Sequence, residues 1–141
     1  MGGYLAAWYA SRHPEIERII MMAPAFHFPD RWLERVSPED RETWRKKGFT
    51  QIFHYGVGEE RPLGYRFLED LEGYENEPDV TQPAMLFHGR LDTVVPIEVS
   101  RSYAAGHANV TLQEFDSGHE LTDVLEPMWT RTREFLVFQS P

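Results

Sequence analysis

Apolar and polar positions along this chain fall into short segments with different periods. Gly3 to His13 is rich in Ala and aromatics and is stopped by Pro14, which predicts a buried helix. Arg18 to Ala23 is a continuous apolar run closed by Pro24, the pattern of a strand covered on both faces. A second apolar strand runs from Ala84 to Phe87, and a helix opens at Pro96 and reaches about Ala105. Val110 to Phe115 is the next strand. Pro127 to Phe138 is the last helix, with Met128, Phe135 and Leu136 roughly on one face. Strands alternating with helices imply βαβ units, hence an α/β fold with about three parallel strands and flanking helices.

Between these regions, residues 26 to 82 read as one irregular insertion. Inside it, Ser37-Pro38-Glu39-Asp40 is a clear helix start. The serine can cap free N–H groups, and proline suits the first helical position. Arg45-Lys46-Lys47 and then Gly48 end that helix, in the order the helix dipole favours. A second short helix is expected over Tyr65 to Leu71.

Composition narrows the possible functions. With 141 residues, the chain suits one domain, and its 41% hydrophobic and 13% aromatic content supports a core rather than disorder. Its 23 acidic residues against 14 basic ones give a net charge of −9, which argues against nucleic acid or an anionic membrane surface as partner. No cysteine is present, so thiolate catalysis and disulfides are excluded. No apolar run approaches the ~20 residues that span a bilayer. The N-terminal stretch lacks the basic start of a signal peptide, so a soluble, cytoplasmic protein is expected.

Two loops carry candidate chemistry. His88-Gly89-Arg90-Leu91-Asp92 places Asp92 four residues past one expected strand, just before a helix. Phe115-Asp116-Ser117-Gly118-His119 places His119 after the next strand, again before a helix. In an open parallel sheet such loops share the C-terminal edge, where sites form. An Asp that orients a His is the supporting half of a nucleophilic triad. Read singly, Asp92 is equally a turn or cap residue, and His119 a surface loop histidine.

Met1-Gly2-Gly3-Tyr4 opens directly into the first helix, like the second half of a G-x-S-x-G strand-to-helix elbow. With the Asp92 loop (Leu86-Phe87-His88-Gly89, then Asp92, then Val95-Pro96) and Gly118-His119, the chain resembles the α/β-hydrolase superfamily. Within it, the chain is similar to small esterases and acyl-thioesterases with a Ser-Leu/Met-Gly-Gly elbow. The order, and the 27 residues from Asp92 to His119, fit as well.

The resemblance implies the C-terminal half of an α/β-hydrolase fold, with residues from about 26 to 82 as a helical cap insertion. It implies Asp92 and His119 as catalytic acid and base, and the backbone N–H of Met1 as an oxyanion-hole donor. No metal or organic cofactor is implied. The substrate would be a small acyl ester or thioester, and no Ser precedes Met1. The expectation is therefore a chain that begins just after its nucleophile and does not turn over substrate alone. An alternative reading is a non-catalytic pseudo-hydrolase that serves as a binding module. The first strand's edge, which further strands of such a fold would cover, favours association.

The remaining candidates read as structural. His13, His27, His54, His88 and His107 show no ligand spacing. Asp116 is a rival acid, only three residues from His119. Ser11 and Ser117 are poor replacement nucleophiles. Phe26, Phe28, Trp32, Trp44, Phe49 and Phe53 could wall an acyl pocket or simply form the core of the insertion. The charged run Glu34 to Lys47 reads as a solvated helix face.

Overall fold

Each of the three expected strands forms, and the most deeply buried one lies in the middle. In chain order the elements are α1 (Gly2–Ala10), β1 (Ile19–Met22), α2 (Phe28–Arg35), α3 (Pro38–Lys47), β2 (Phe49–His54), β3 (Glu59–Gly64), α4 (Arg66–Leu71), β4 (Ala84–Gly89), α5 (Ile97–Gly106), β5 (Val110–Phe115) and α6 (Leu125–Leu136). They come from a computed structural model that describes residues 1–54 and 56–137. Two units are distinguished: Met1–Phe26 with the chain from Glu77 onward, and His27–Asn76.

The first unit holds a parallel sheet in the order β1-β4-β5. Ile19 pairs with Ala84, and Ala84 pairs with Val110, which brings the C-terminal ends of β4 and β5 to one edge. Every residue of β4 is buried, as expected of a central strand covered on both faces. Side chains alternate across a strand, so Met85 and Phe87 face one way, and Ala84, Leu86 and His88 the other. Met85 and Phe87 pack with Leu121 and Met128, joined by Ile20, Phe115, Val124 and Phe135. Burying a side chain of that size stabilises the fold by about 1.5–3 kcal/mol.

On the other side, Tyr103 of α5 stacks on Phe26 with ring centroids 4.0 Å apart and donates its hydroxyl to the Pro78 carbonyl at 2.6 Å. Gln82 donates to the carbonyls of Ala10 and His13, tying the end of α1 to the entry of β4.

Helix α1 differs from expectation. It ends at Ala10 rather than His13, with Ser11 as its C-cap, and only one face is covered: Tyr4, Ala7 and Ala10 are buried, while Leu5 and Tyr9 are exposed. Gly3 lets the helix lie against β1, because a Cβ there would stand 2.7 Å from the Met22 carbonyl oxygen and 3.0 Å from Pro24 Cα. The last helix begins two residues earlier than expected and ends at Leu136, which is exposed rather than in the core. Phe138 lies outside the described residues.

The second unit is not purely helical. α3 is capped as its sequence requires: Ser37 Oγ accepts from the Asp40 N–H at 3.1 Å, and Gly48 closes the helix with φ 79°. Between α3 and α4, however, β2 and β3 form an antiparallel hairpin, with Phe49 opposite Gly64 and His54 opposite Glu59. Pro62 and the charged Glu59, Glu60 and Arg61 disguise β3 in the sequence. Proline is tolerated there because a two-stranded ribbon has only edge strands. Trp44, Leu68 and Leu71 form this unit's core, with Phe28, Trp32 and Phe67 packed against it.

Candidate functional site

β4 runs on to Gly89 rather than Phe87, so Asp92 stands two residues closer to the end of its strand than expected. Its loop folds back on itself: Asp92 Oδ1 accepts the N–H groups of Val94 and Val95, both at 2.8 Å. That turn leads into Pro96 and α5. The second oxygen, Oδ2, accepts from His119 Nδ1 at 2.7 Å. A carboxylate can only accept here, so the proton sits on Nδ1. The Asp92 side chain is fully shielded, while the His119 ring is one-third exposed. Among the described residues no hydrogen bond engages His119 Nε2, which leaves that nitrogen for proton transfer.

Electrostatics favour the ionised carboxylate. Burial pushes the Asp92 carboxyl up, but the Val95 N–H, the His119 ring, the Val94 N–H and the charge of His119 together more than offset it. The net shift is downward.

The two loops are joined backbone to backbone. Arg90 N–H donates to the Phe115 carbonyl at 2.8 Å, and Leu91 N–H to the Ser117 carbonyl at 3.0 Å. Ser117 is buried, and its hydroxyl donates to the Asp123 carboxylate beyond the histidine. His119 is thus held from both sides, on a loop whose other end is Leu121, a buried residue at φ 55°.

The other candidates have separate positions. Asp116 is exposed and bonded to Arg90 at 2.7 Å, away from His119. Ser11 Oγ donates to the Trp8 carbonyl. His13 stacks on Tyr9 and pairs with Glu15 at 2.7 Å. His107 stacks on Tyr103 and bonds the Tyr103 carbonyl at 2.8 Å. His27 is the N-cap of α2 at φ 59°, and His54 ends β2.

Met1 precedes α1 as its N-cap and is half-exposed. Partial burial lowers the pKa of its terminal ammonium.

His88, read from the sequence as structural, lies beside the pair. It is fully buried, and its Nε2 lies 3.2 Å from Asp92 Oδ2. The signal was its place: a polar residue at the end of an otherwise apolar central strand, four positions before the acid.

The aromatics divide between the two units. Phe26 belongs to the first unit. In the second, Trp32, Trp44 and Phe49 line a groove of about 630 Å³ together with Arg35, Val36 and Lys47. Phe53 is exposed. Among the described residues no helix is long and apolar enough to cross a membrane.

Similar architecture occurs in solved structures. Est1E from Butyrivibrio proteoclasticus superposes with a TM-score of 0.73 at 20% identity, covering 94% of this chain and 55% of that protein. Another structure of that protein has ferulic acid bound. The mouse alpha/beta hydrolase domain-containing protein 10 gives 0.72 at 20% identity, over 96% of this chain and 59% of that one. The enol-lactonase from Burkholderia xenovorans LB400 gives 0.64 at 20% identity, over 96% and 62%. The chain therefore has the α/β-hydrolase fold, and it spans between 55% and 62% of the length of these relatives. No curated protein sequence matches it. Residues 1–136 match the model of the uncharacterised protein family UPF0227, and the chain belongs to that family.

Proposed function

We propose that this chain carries the acid and base of a serine hydrolase acting on a carboxylic ester or acyl thioester, and that the nucleophile is a Ser directly before Met1 in a longer protein. The observation that carries this reading is the 2.7 Å bond from His119 Nδ1 to a shielded, ionised Asp92. In the reaction, the Ser hydroxyl attacks the acyl carbon while His119 Nε2 takes its proton. His119 then returns that proton to the leaving oxygen or sulfur, and the resulting acyl-enzyme is hydrolysed by the same route. Asp92 fixes the His119 tautomer and stabilises the imidazolium that forms. The backbone N–H of Met1, at the positive end of α1, donates to the oxyanion.

Acyl esters are the substrate class because of what the relatives' names state: an enol-lactonase, and a protein crystallised with ferulic acid.

The chain by itself is expected to be inactive. Among the described serines, Ser11, Ser37, Ser100 and Ser117 each make a structural hydrogen bond, and Ser102 is exposed on α5. The test compares the isolated chain with a protein extended upstream of Met1, using nitrophenyl acyl esters and fluorophosphonate labelling. Turnover and labelling in the extended protein only, both lost in His119→Ala, support the reading. Turnover by the isolated chain that disappears in His119→Ala contradicts the placement of the nucleophile.

A second reading, a non-catalytic module, is favoured by one observation: β1 is an edge strand, with β4 as its one hydrogen-bonded neighbour among the described residues. An exposed edge can recruit another strand. Stable association with a second chain, together with no labelling of the extended protein, would favour it.

A further inference from the structure

We propose that His88 is a positioning residue that fixes the Asp92 carboxylate for His119. The inference rests on the hydrolase reading of the Asp92–His119 pair, but it can be tested without turnover.

The alternation along β4 puts position 88 on the same face as Ala84 and Leu86, where packing alone would select an apolar side chain. Instead an imidazole is fully buried there. Burying its two ring nitrogens is costly unless both are bonded. Both are. Nδ1 lies 2.6 Å from Ser100 Oγ, and Nε2 lies 3.0 Å from the Val95 carbonyl and 3.2 Å from Asp92 Oδ2.

One tautomer satisfies both hydrogen bonds. Val95 O accepts, so Nε2 carries the proton and donates it to Val95 O, with Asp92 Oδ2 3.2 Å from the same nitrogen. Nδ1 is then an acceptor, and the Ser100 hydroxyl donates to it. Ser100 is itself fully buried on α5. The result is a chain from the core outward: Ser100, His88, the backbone of Val95, Asp92, His119.

The geometric consequence lies in Asp92. Val94 and Val95 hold Oδ1 from the backbone. His88 Nε2 holds the Val95 carbonyl, and Val95 is the residue whose N–H holds Oδ1. His88 is fixed in the sheet and so anchors that turn, which sets the carboxylate independently of His119. Catalytic groups need such placement to within about 0.5 Å. His88 touches none of the reacting atoms and acts only through Asp92.

The test is nitrogen-15 NMR of the histidine rings in the chain itself, with a search for the hydrogen-bonded Nδ1 proton of His119. In the unsubstituted chain, His88 is expected as the Nε2–H tautomer and the His119 proton as a protected downfield signal. In His88→Phe, which keeps ring volume but removes the donor, the His119 signal is expected to move upfield and broaden by exchange. His88→Gln keeps an N–H donor and is expected to retain more of the native signal. Absence of the signal in the unsubstituted chain overturns the proposal. So does a native His119 signal in folded His88→Phe.

Should His88→Phe fail to fold, Ser100→Ala carries the test. Losing the hydroxyl donor is expected to admit the second His88 tautomer and broaden the His119 signal, and an unchanged His119 signal overturns the proposal. The two readings fail separately. If the extended protein does not hydrolyse esters but these shifts occur, the hydrolase reading falls and the His88 assignment stands.

Discussion

Gly89 at the end of β4 meets the backbone of Ser117 so closely that a Cβ on Gly89 would stand 2.2 Å from the Ser117 carbonyl oxygen. The same Cβ would lie 2.5 Å from the Gly118 carbonyl oxygen. Both obstacles are backbone, so no side chain can rotate away to relieve the clash. The glycine therefore lets the loop bearing the acid lie directly against the loop bearing the histidine.

Gly89→Ala is accordingly expected to destabilise the chain by about 1–3 kcal/mol or more, as overpacking does. It should also push residues 117–119 away and weaken the His119 bond to Asp92. Urea denaturation measures the first effect, and the His119 Nδ1 proton signal the second. Native values for both would show that the close approach is not needed.

Acid sensitivity follows from Asp92. Its carboxyl lies below the ordinary value of 3.8, so folding favours the ionised form. The resulting stabilisation is fully present above the ordinary carboxylate range and is lost as pH falls through the lowered value. Asp92→Asn is expected to flatten the acid limb of the stability curve. Urea midpoints for both proteins at pH 7 and pH 3 test this. An equal loss in the two proteins would contradict it.

A second acid-sensitive group lies on β5. Glu114 accepts from Arg101 Nε and Nη2, both at 2.8 Å, and from Arg90 Nε at 3.0 Å. The Arg101 hydrogen bond lowers it first, burial acts against this, and Arg90 lowers it further, to about 2 from 4.5. Its contribution is therefore present above about pH 4.5 and disappears toward pH 2. These arginines are largely exposed, so Glu114→Gln is expected to cost less than about 1 kcal/mol and to cost less still in high salt. A loss that did not respond to salt would contradict the ion-pair explanation.

Core and cap substitutions separate the two units. Phe87→Ala is expected to cost about 3–5 kcal/mol by opening a cavity behind β4. Ser37→Ala removes the cap on α3 and is expected to cost about 0.5–2 kcal/mol. Tryptophan fluorescence, with Trp32 and Trp44 reporting on the second unit and Trp8 and Trp129 on the first, follows both.

What the sequence revealed, and what it hid, has physical causes. β4 is a short apolar run between Pro83 and Gly89, and β5 places Val110 and Leu112 at alternate positions, so period and composition agree. α3 carries its own cap and its own stop. The β2–β3 hairpin was hidden because its second strand is charged and contains Pro62, and its exposed side chains leave no apolar alternation. Asp92 and His119 were legible because each follows a strand of one parallel sheet. Their pairing was expected from the resemblance, but the part Gly89 plays in letting the two loops touch was not visible in the sequence. His88 was hidden because a histidine next to a glycine carries no period, and its value lies in contacts with residues four and twelve positions later.

The most direct test of the account is steady-state ester hydrolysis by the protein extended upstream of Met1, compared with its Asp92→Asn and His119→Ala variants. Both substitutions are expected to lower kcat by about three orders of magnitude or more with little change in KM, as loss of a triad member does. Turnover in either variant within about tenfold of the parent would contradict the claim that Asp92 and His119 are the acid and base of a triad.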